Sequence, residues 1–172
     1  MQWILSRPFN IAVFNLVWIG CVVGGNRWLW LVAPLTLAYL ATLLLQRKVQ
    51  VQQIVLPALL GIFVDSVLTL TGIFYFDHSM RVIPLWLVVL WFGFASTLSQ
   101  SLEIVGSNKW LAAALGALVF PFNYAVGEGL GAVDFQHGYS LALITLGLIW
   151  LPGLPLLFLL SQKTVEDANE AT

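Results

Sequence analysis

Charge is what this sequence has least of. Of its 172 residues, seven are Lys or Arg and eight are Asp or Glu, 9% in all, with a net charge of −1. A soluble domain carries about a quarter charged residues, so this scarcity excludes one. No long basic run exists, which removes nucleic acid as a partner. Cysteine is nearly absent: Cys21 stands alone, so no internal disulfide can form. With no Cys or His at ligand spacing it marks no metal site and reads as a small apolar residue inside a helix. Also missing are GxSxG, HExxH, Walker A, GxGxxG and CxxC elements, so no soluble-enzyme chemistry is recognisable and no cofactor or metal is expected.

What remains is apolar. Hydrophobic residues make up 60% of the chain, and the mean hydropathy is +0.92. Arg7 followed by the apolar run Phe9 to Val23 imitates a signal peptide, but no small-x-small cleavage site follows. A lipoprotein-type site at Cys21 fits poorly, because Trp18 stands where such sites carry Leu. The segment therefore reads as a retained first helix.

Crossing about 30 Å of hydrocarbon takes a helix of roughly 20 apolar residues. Stretches of that kind lie at about 9–25, 28–45, 50–74, 82–102, 110–126 and 139–160, separated by short polar breaks. The expectation is an all-α polytopic membrane protein of six transmembrane helices, with antiparallel neighbours forced by the short connections. The runs are continuous rather than alternating, which disfavours a β-barrel. Arg7, Arg47, Lys48, Lys109 and Lys163 fall on one side and Arg27 and Arg81 on the other, which predicts both termini in the cytoplasm. Trp3, Trp28, Trp30, Trp86, Trp110 and Tyr139 fall near span ends, whereas Trp18, Trp91 and Trp150 lie deeper. The tail from Ser161 to Thr172 has no apolar periodicity and reads as a solvated, poorly ordered end. No internal repeat of the inverted-transporter kind is visible.

Asp65 is the only acidic or basic side chain within these spans. A carboxylate in hydrocarbon is costly enough that it faces a bundle interior or a wet cavity, which makes Asp65 the first candidate for function or for helix packing. Gly61, Thr69 and Gly72 share its face at three-and-four spacing. A second cluster closes the fifth span, from Pro121 to Gly131. If the helix continues past Pro121, Asn123 faces Gly127 and Tyr124 faces Glu128. An amide, a phenol and a carboxylate then gather near the outer headgroups, able to converge on Asp65. Alternatively, Gly127, Gly129 and Gly131 make a flexible turn with Glu128 in water. Asp77, His78 and Arg81 in one external loop and Asp134 and His137 in another match no metal motif, and Asp77 with Arg81 reads as a loop ion pair. Ser96, Thr97, Ser99 and Gln100 read as ordinary hydrogen-bonding glue between helices.

Taken in order, Phe14-x3-Trp18-x3-Val22, Gly61-x3-Asp65, Pro84-Leu85-Trp86, Leu90-Trp91, Phe94-Ala95-Ser96-Thr97-Leu98, Gly116-Ala117, Pro121-x2-Tyr124-x2-Gly127 and Leu130-Gly131-Ala132 span nearly the whole chain. The set resembles a bacterial membrane family catalogued as domain of unknown function 2878. Phe120 and Asn123 depart from its pattern, in which a Gly precedes the Pro and a small residue takes the place of the Asn. The resemblance implies a small bacterial inner-membrane protein with no established reaction. It also implies a neighbourhood of lipid-modifying enzymes of the cyclopropane fatty-acid synthase kind, hence a lipid-modifying enzyme as a partner. The positions it carries over are Asp65 and the Tyr124-to-Gly127 stretch.

Three functions compete at this point. The first is an accessory role in membrane-lipid modification or envelope maintenance, with membrane lipid as partner and a polar cavity around Asp65, Thr69, Asn123, Tyr124 and Glu128. The second is a small-solute transporter, or a substrate-binding membrane subunit like those of vitamin importers. Those subunits present an Ala-x3-Ala surface on helix one, which this helix lacks. The third is an intramembrane enzyme using Asp65 and Glu128 as an acid and base pair.

Overall fold

The computed structural model describes residues 2–76 and 82–170, with side chains described for 3–76 and 82–162. The chain is all-α. Its helices are α1 (Arg7–Gly24), α2 (Leu29–Leu45), α3 (Val51–Leu70), α4 (Leu85–Leu98), the single turn α5 (Glu103–Gly106), α6 (Lys109–Gly129) and α7 (Tyr139–Glu170). Two two-residue strands, β1 (Phe74–Tyr75) and β2 (Asp134–Phe135), pair antiparallel.

Local chemistry explains the helix ends. The Ser6 hydroxyl accepts from the Phe9 N–H at the start of α1, where Pro8 occupies a first-turn position that needs no donor. Asn108 caps α6, its Oδ1 accepting from the N–H groups of Trp110 and Leu111 at 3.0 and 3.2 Å. Between α1 and α2 the chain reverses at Gly25, whose φ of +52° suits a residue without a Cβ. The reversal is shown by Phe9 and Tyr39, whose rings lie 6.0 Å apart, and by Gly20, which has no room for a Cβ against Val32. Pro34, Pro57, Pro121, Pro152 and Pro155 all lie inside helices, a frequency tolerated where neighbouring helices support the backbone.

Several expected boundaries shift. The third span was expected to reach residue 74, but α3 stops at Leu70, because Gly72 takes φ +77° and the chain leaves as β1. Gly72 therefore lies beyond the helical face that carries Asp65. The fourth span, expected over 82–102, is helical only to Leu98 and then turns through Ser99–Leu102 into α5. α6 runs straight through Pro121 to Gly129, and the reversal comes at Gly131, φ +73°. The expected tail from Ser161 is instead the end of α7, helical to Glu170. No Gly or Pro interrupts that stretch, so the preceding helix propagates at little cost per residue.

Among the described residues, four continuous helical stretches are long and apolar enough to cross a membrane: Arg7–Leu45, Val51–Leu70, Lys109–Gly129 and Tyr139–Gln162. The first is the α1–α2 hairpin, and α4 is a shorter apolar helix. The outside of the bundle fits lipid rather than water. Leu37, Phe63, Leu118, Ile144 and Leu148 are each more than 60% exposed, and soluble monomers rarely leave such contiguous apolar surface uncovered.

α4 packs against α1, α2, α3 and α7, and α6 lies along α7. That last pair is in backbone contact: a Cβ on Gly116 would sit 2.0 Å from the Trp150 carbonyl oxygen. The bundle has two distinct ends. At the basic end Arg7 pairs with Glu103, Gln100 Nε2 donates to the Lys48 carbonyl at 3.1 Å, and Gln53 Nε2 donates to the Ser161 carbonyl at 2.9 Å. At the other, the clasp end, β1 pairs with β2, and the Trp86 N–H that opens α4 donates to Asn26 Oδ1 at 3.4 Å.

Candidate functional site

Asp65 lies on the inward face of α3 and is completely buried. Two donors close over its carboxylate. Trp91 of α4 donates its indole N–H to Oδ2 at 2.6 Å, and the Tyr124 hydroxyl of α6 lies 2.6 Å from both Oδ1 and Oδ2. Both oxygens of this buried carboxyl group are thereby partnered without a counter-ion. Three helices are thereby tied at one point.

Glycine makes the geometry possible. The Trp91 indole lies flat against Gly61, one turn before Asp65, where a Cβ would come 2.2 Å from Trp91 Cε3. Trp150 stacks on the same indole at 5.3 Å, and Phe120 lies 4.1 Å from Trp150 at an interplanar angle of 13°. Phe120 thus completes an aromatic pile that holds Trp91 in place. Phe74 of β1 stacks on Tyr124 at 4.7 Å, so the clasp fixes the phenol from the other side.

A cleft of about 330 Å³ runs beside this knot, walled by α1 and α6 with α4 as its floor. Its lining is almost entirely apolar, with Phe14, Trp18, Leu90, Trp91 and Phe94 prominent, and Asn123 and Tyr124 supply polar atoms at one edge. The expectation of a polar cavity around Asp65 is therefore corrected. Asp65 is fully buried and is not in the cleft wall, whereas Tyr124 and Trp91, which bond its carboxyl group, are.

The other candidates separate. Asn123 is in the cleft wall, with its amide bonded back to the Val119 carbonyl at 2.8 Å. Thr69 bonds the Asp65 main-chain carbonyl at 2.7 Å and tightens its own helix. Glu128 is half-buried one turn beyond Tyr124, outside the cleft wall and not among the partners of Asp65. Asp77, His78 and Arg81 lie outside the described residues. Asp134 sits in β2, and among the described residues no three His, Cys, Asp or Glu side chains gather to hold a metal. Ser96, Thr97 and Gln100 hydrogen-bond as expected of helix glue, whereas Ser99 Oγ is buried without a partner among the described residues.

Two features escaped sequence reasoning. The sequence places Trp91 deep in its span without pairing it to Asp65, although an indole N–H far from the headgroups needs an acceptor and Asp65 is the one carboxyl group within the expected spans. Asn10, only 1% exposed, donates to Tyr39 Oη and Ser96 Oγ at 3.0 and 3.3 Å and accepts from Ser101 at 2.6 Å. It joins α1, α2 and α4 near the basic end, and no spacing pattern pointed to it.

A family model matches residues 7–156, from the first residue of α1 to beyond Pro155. The chain belongs to the family described as protein of unknown function, DUF2878. The matched stretch contains the whole Asp65–Trp91–Tyr124 knot and both walls of the cleft, so in this DUF2878 protein the knot and the cleft lie within the family's own domain. No curated protein and no solved structure matches the chain.

Proposed function

We propose that this DUF2878 protein is a multi-pass protein of the bacterial inner membrane that holds a membrane lipid in the α1–α4–α6 cleft, as an accessory to lipid modification or envelope maintenance. Six helices cross the bilayer, with the basic end and both termini in the cytoplasm, in keeping with the excess of Lys and Arg there. One observation carries the reading: the cleft is apolar along its length and open rather than enclosed, inside a bundle whose outer surface is itself apolar. Such a cleft is entered sideways from the hydrocarbon, and what the hydrocarbon supplies is an acyl chain. Tyr124 and Asn123 give its edge the small number of placed polar groups that orient a mainly apolar ligand. Asp65 acts as a positioning residue. It accepts the Tyr124 hydroxyl hydrogen and so holds that ring in the cleft wall.

Photolabelling with a phospholipid that carries a diazirine on its acyl chain, in native membranes, tests this. Labels are expected to concentrate on Phe14, Leu90 and Phe94 and to be lost from the cleft in Leu90→Trp, which fills it. Labelling spread evenly over outward residues such as Leu37, Phe63 and Leu148 overturns the reading.

A further inference from the structure

A second cavity, of about 380 Å³, lies at the clasp end and is lined mainly by polar atoms. It adjoins the apolar cleft, for Val22, Phe76, Trp86 and Ala132 line both. Side by side they offer a polar mouth and an apolar barrel, the division of an amphiphile. Arg27 and Asn26 supply the donors at the mouth, and among the described residues no acidic side chain lines it. Arg27 has no hydrogen-bond or ion-pair partner among the described residues. Asn26 spends its Oδ1 on the Trp86 N–H and keeps its amide hydrogens. The depth is informative too. Along α4 the barrel runs from Trp86 to Thr97, and along α1 from Val22 to Ile11. Each covers twelve residues, eleven helical rises, or about 17 Å at 1.5 Å per residue, which matches one leaflet, about half of a 30 Å hydrocarbon core. Trp28 and Trp30, 47% and 76% exposed, flank the mouth in sequence and suit the headgroup level.

We infer that the adjoining cavities together form a binding site for one anionic glycerophospholipid of the leaflet at the clasp end, its phosphate at Arg27 and Asn26 and one acyl chain lying down the cleft past Trp86. The inference rests on the lipid-holding reading and adds the headgroup class and the leaflet. A phosphate charge finds the guanidinium, whose planar fork suits phosphate oxygens. A hydroxyl-bearing head such as glycerol finds hydrogen bonds, whereas the ammonium of an ethanolamine or choline head finds no carboxylate among the described residues of the mouth.

The test is native mass spectrometry of the full chain released from nanodiscs containing equal phosphatidylglycerol, phosphatidylethanolamine and phosphatidylcholine with identical acyl chains. One retained lipid is expected, with phosphatidylglycerol enriched about tenfold, the worth of one charge-assisted contact set. Arg27→Gln should equalise the three lipids while still retaining one, and Arg27→Lys should restore most of the preference. Because Arg27 is exposed, neither variant threatens folding. Millimolar inorganic phosphate should leave the retained lipid in place, since it offers nothing to the apolar barrel. Retention without headgroup preference, an Arg27→Gln variant with the wild-type preference, or displacement by phosphate alone overturns the inference. In the first two cases the lipid-holding reading stands. If no lipid is retained and the cleft does not photolabel, that reading falls as well.

Discussion

Gly61→Ala should damage this protein far beyond the size of a methyl group. The new Cβ would sit 2.2 to 2.4 Å from three carbons of the Trp91 indole, where carbon atoms in contact lie about 3.5–4.0 Å apart. Either the ring or the helix must yield by more than about 1 Å. The ring cannot slide freely, because Trp150 is stacked on it at 5.3 Å, and a shift of that size stretches the 2.6 Å bond from Trp91 Nε1 to Asp65 past hydrogen-bonding range. Overpacking costs about 1–3 kcal/mol, and a buried acceptor that loses a donor costs about 1–3 kcal/mol more. The expected loss is about 2–6 kcal/mol, read by equilibrium unfolding in mixed micelles. Trp91→Leu removes the obstacle as well as the donor, so Gly61→Ala added to Trp91→Leu should cost nothing further, within about 0.5 kcal/mol. If Gly61→Ala alone unfolds within about 0.5 kcal/mol of the wild type, the seat of Trp91 on Gly61 is wrong, and with it the account of how Asp65 is held.

Tyr124→Phe keeps the stack on Phe74 but removes the donor to both Asp65 oxygens, and should lower unfolding stability by about 1–3 kcal/mol, the cost of leaving a buried polar group without its partner. Gly116→Val should separate α6 from α7 and abolish the folded yield in detergent, because even a Cβ there meets the Trp150 carbonyl at 2.0 Å. Gly129→Ala, with nothing within 4 Å and a helical backbone, should instead raise stability by up to about 1 kcal/mol. Asn10→Leu leaves the Ser101 and Tyr39 hydroxyls without their partner and should cost about 1–3 kcal/mol, seen as a lower thermal midpoint. Arg47 closes α2 at φ +51°, where a side chain is strained by about 1–2 kcal/mol. Arg47→Gly is therefore expected to leave the thermal midpoint unchanged or raise it, the relief being offset in part by the greater backbone entropy of glycine when unfolded.

Much of the architecture is legible in the chain because lipid imposes a simple rule. Backbone groups must be bonded within a segment, so a long apolar run with few charges is a helix wherever its neighbours go. That rule located each long helix and singled out Asp65, the one acidic or basic side chain within the expected spans. It was weaker at the ends. The stops at Leu70 and Leu98 come from a left-handed glycine and from a polar turn, whose effect depends on how far the neighbouring helix extends.

The site divides in the same way. That Asp65 needs donors follows from burial energetics alone. Which donors reach it depends on α4 and α6 arriving from residues 26 and 59 positions further along the chain, and on the absence of a Cβ at Gly61 that lets an indole lie on α3. The apolar cleft and its polar mouth were invisible beforehand for the same reason. Their walls come from α1, α4, α6 and the clasp-end turns, and a void between helices has no local signature in sequence. By itself, the sequence determined a helical bundle for an apolar solvent with one buried carboxylate, because hydropathy and helix length act residue by residue. Only the tertiary structure decided that this carboxylate is sealed behind Tyr124 and Trp91 with a cleft beside it, because contact between helices depends on which small residues let them approach.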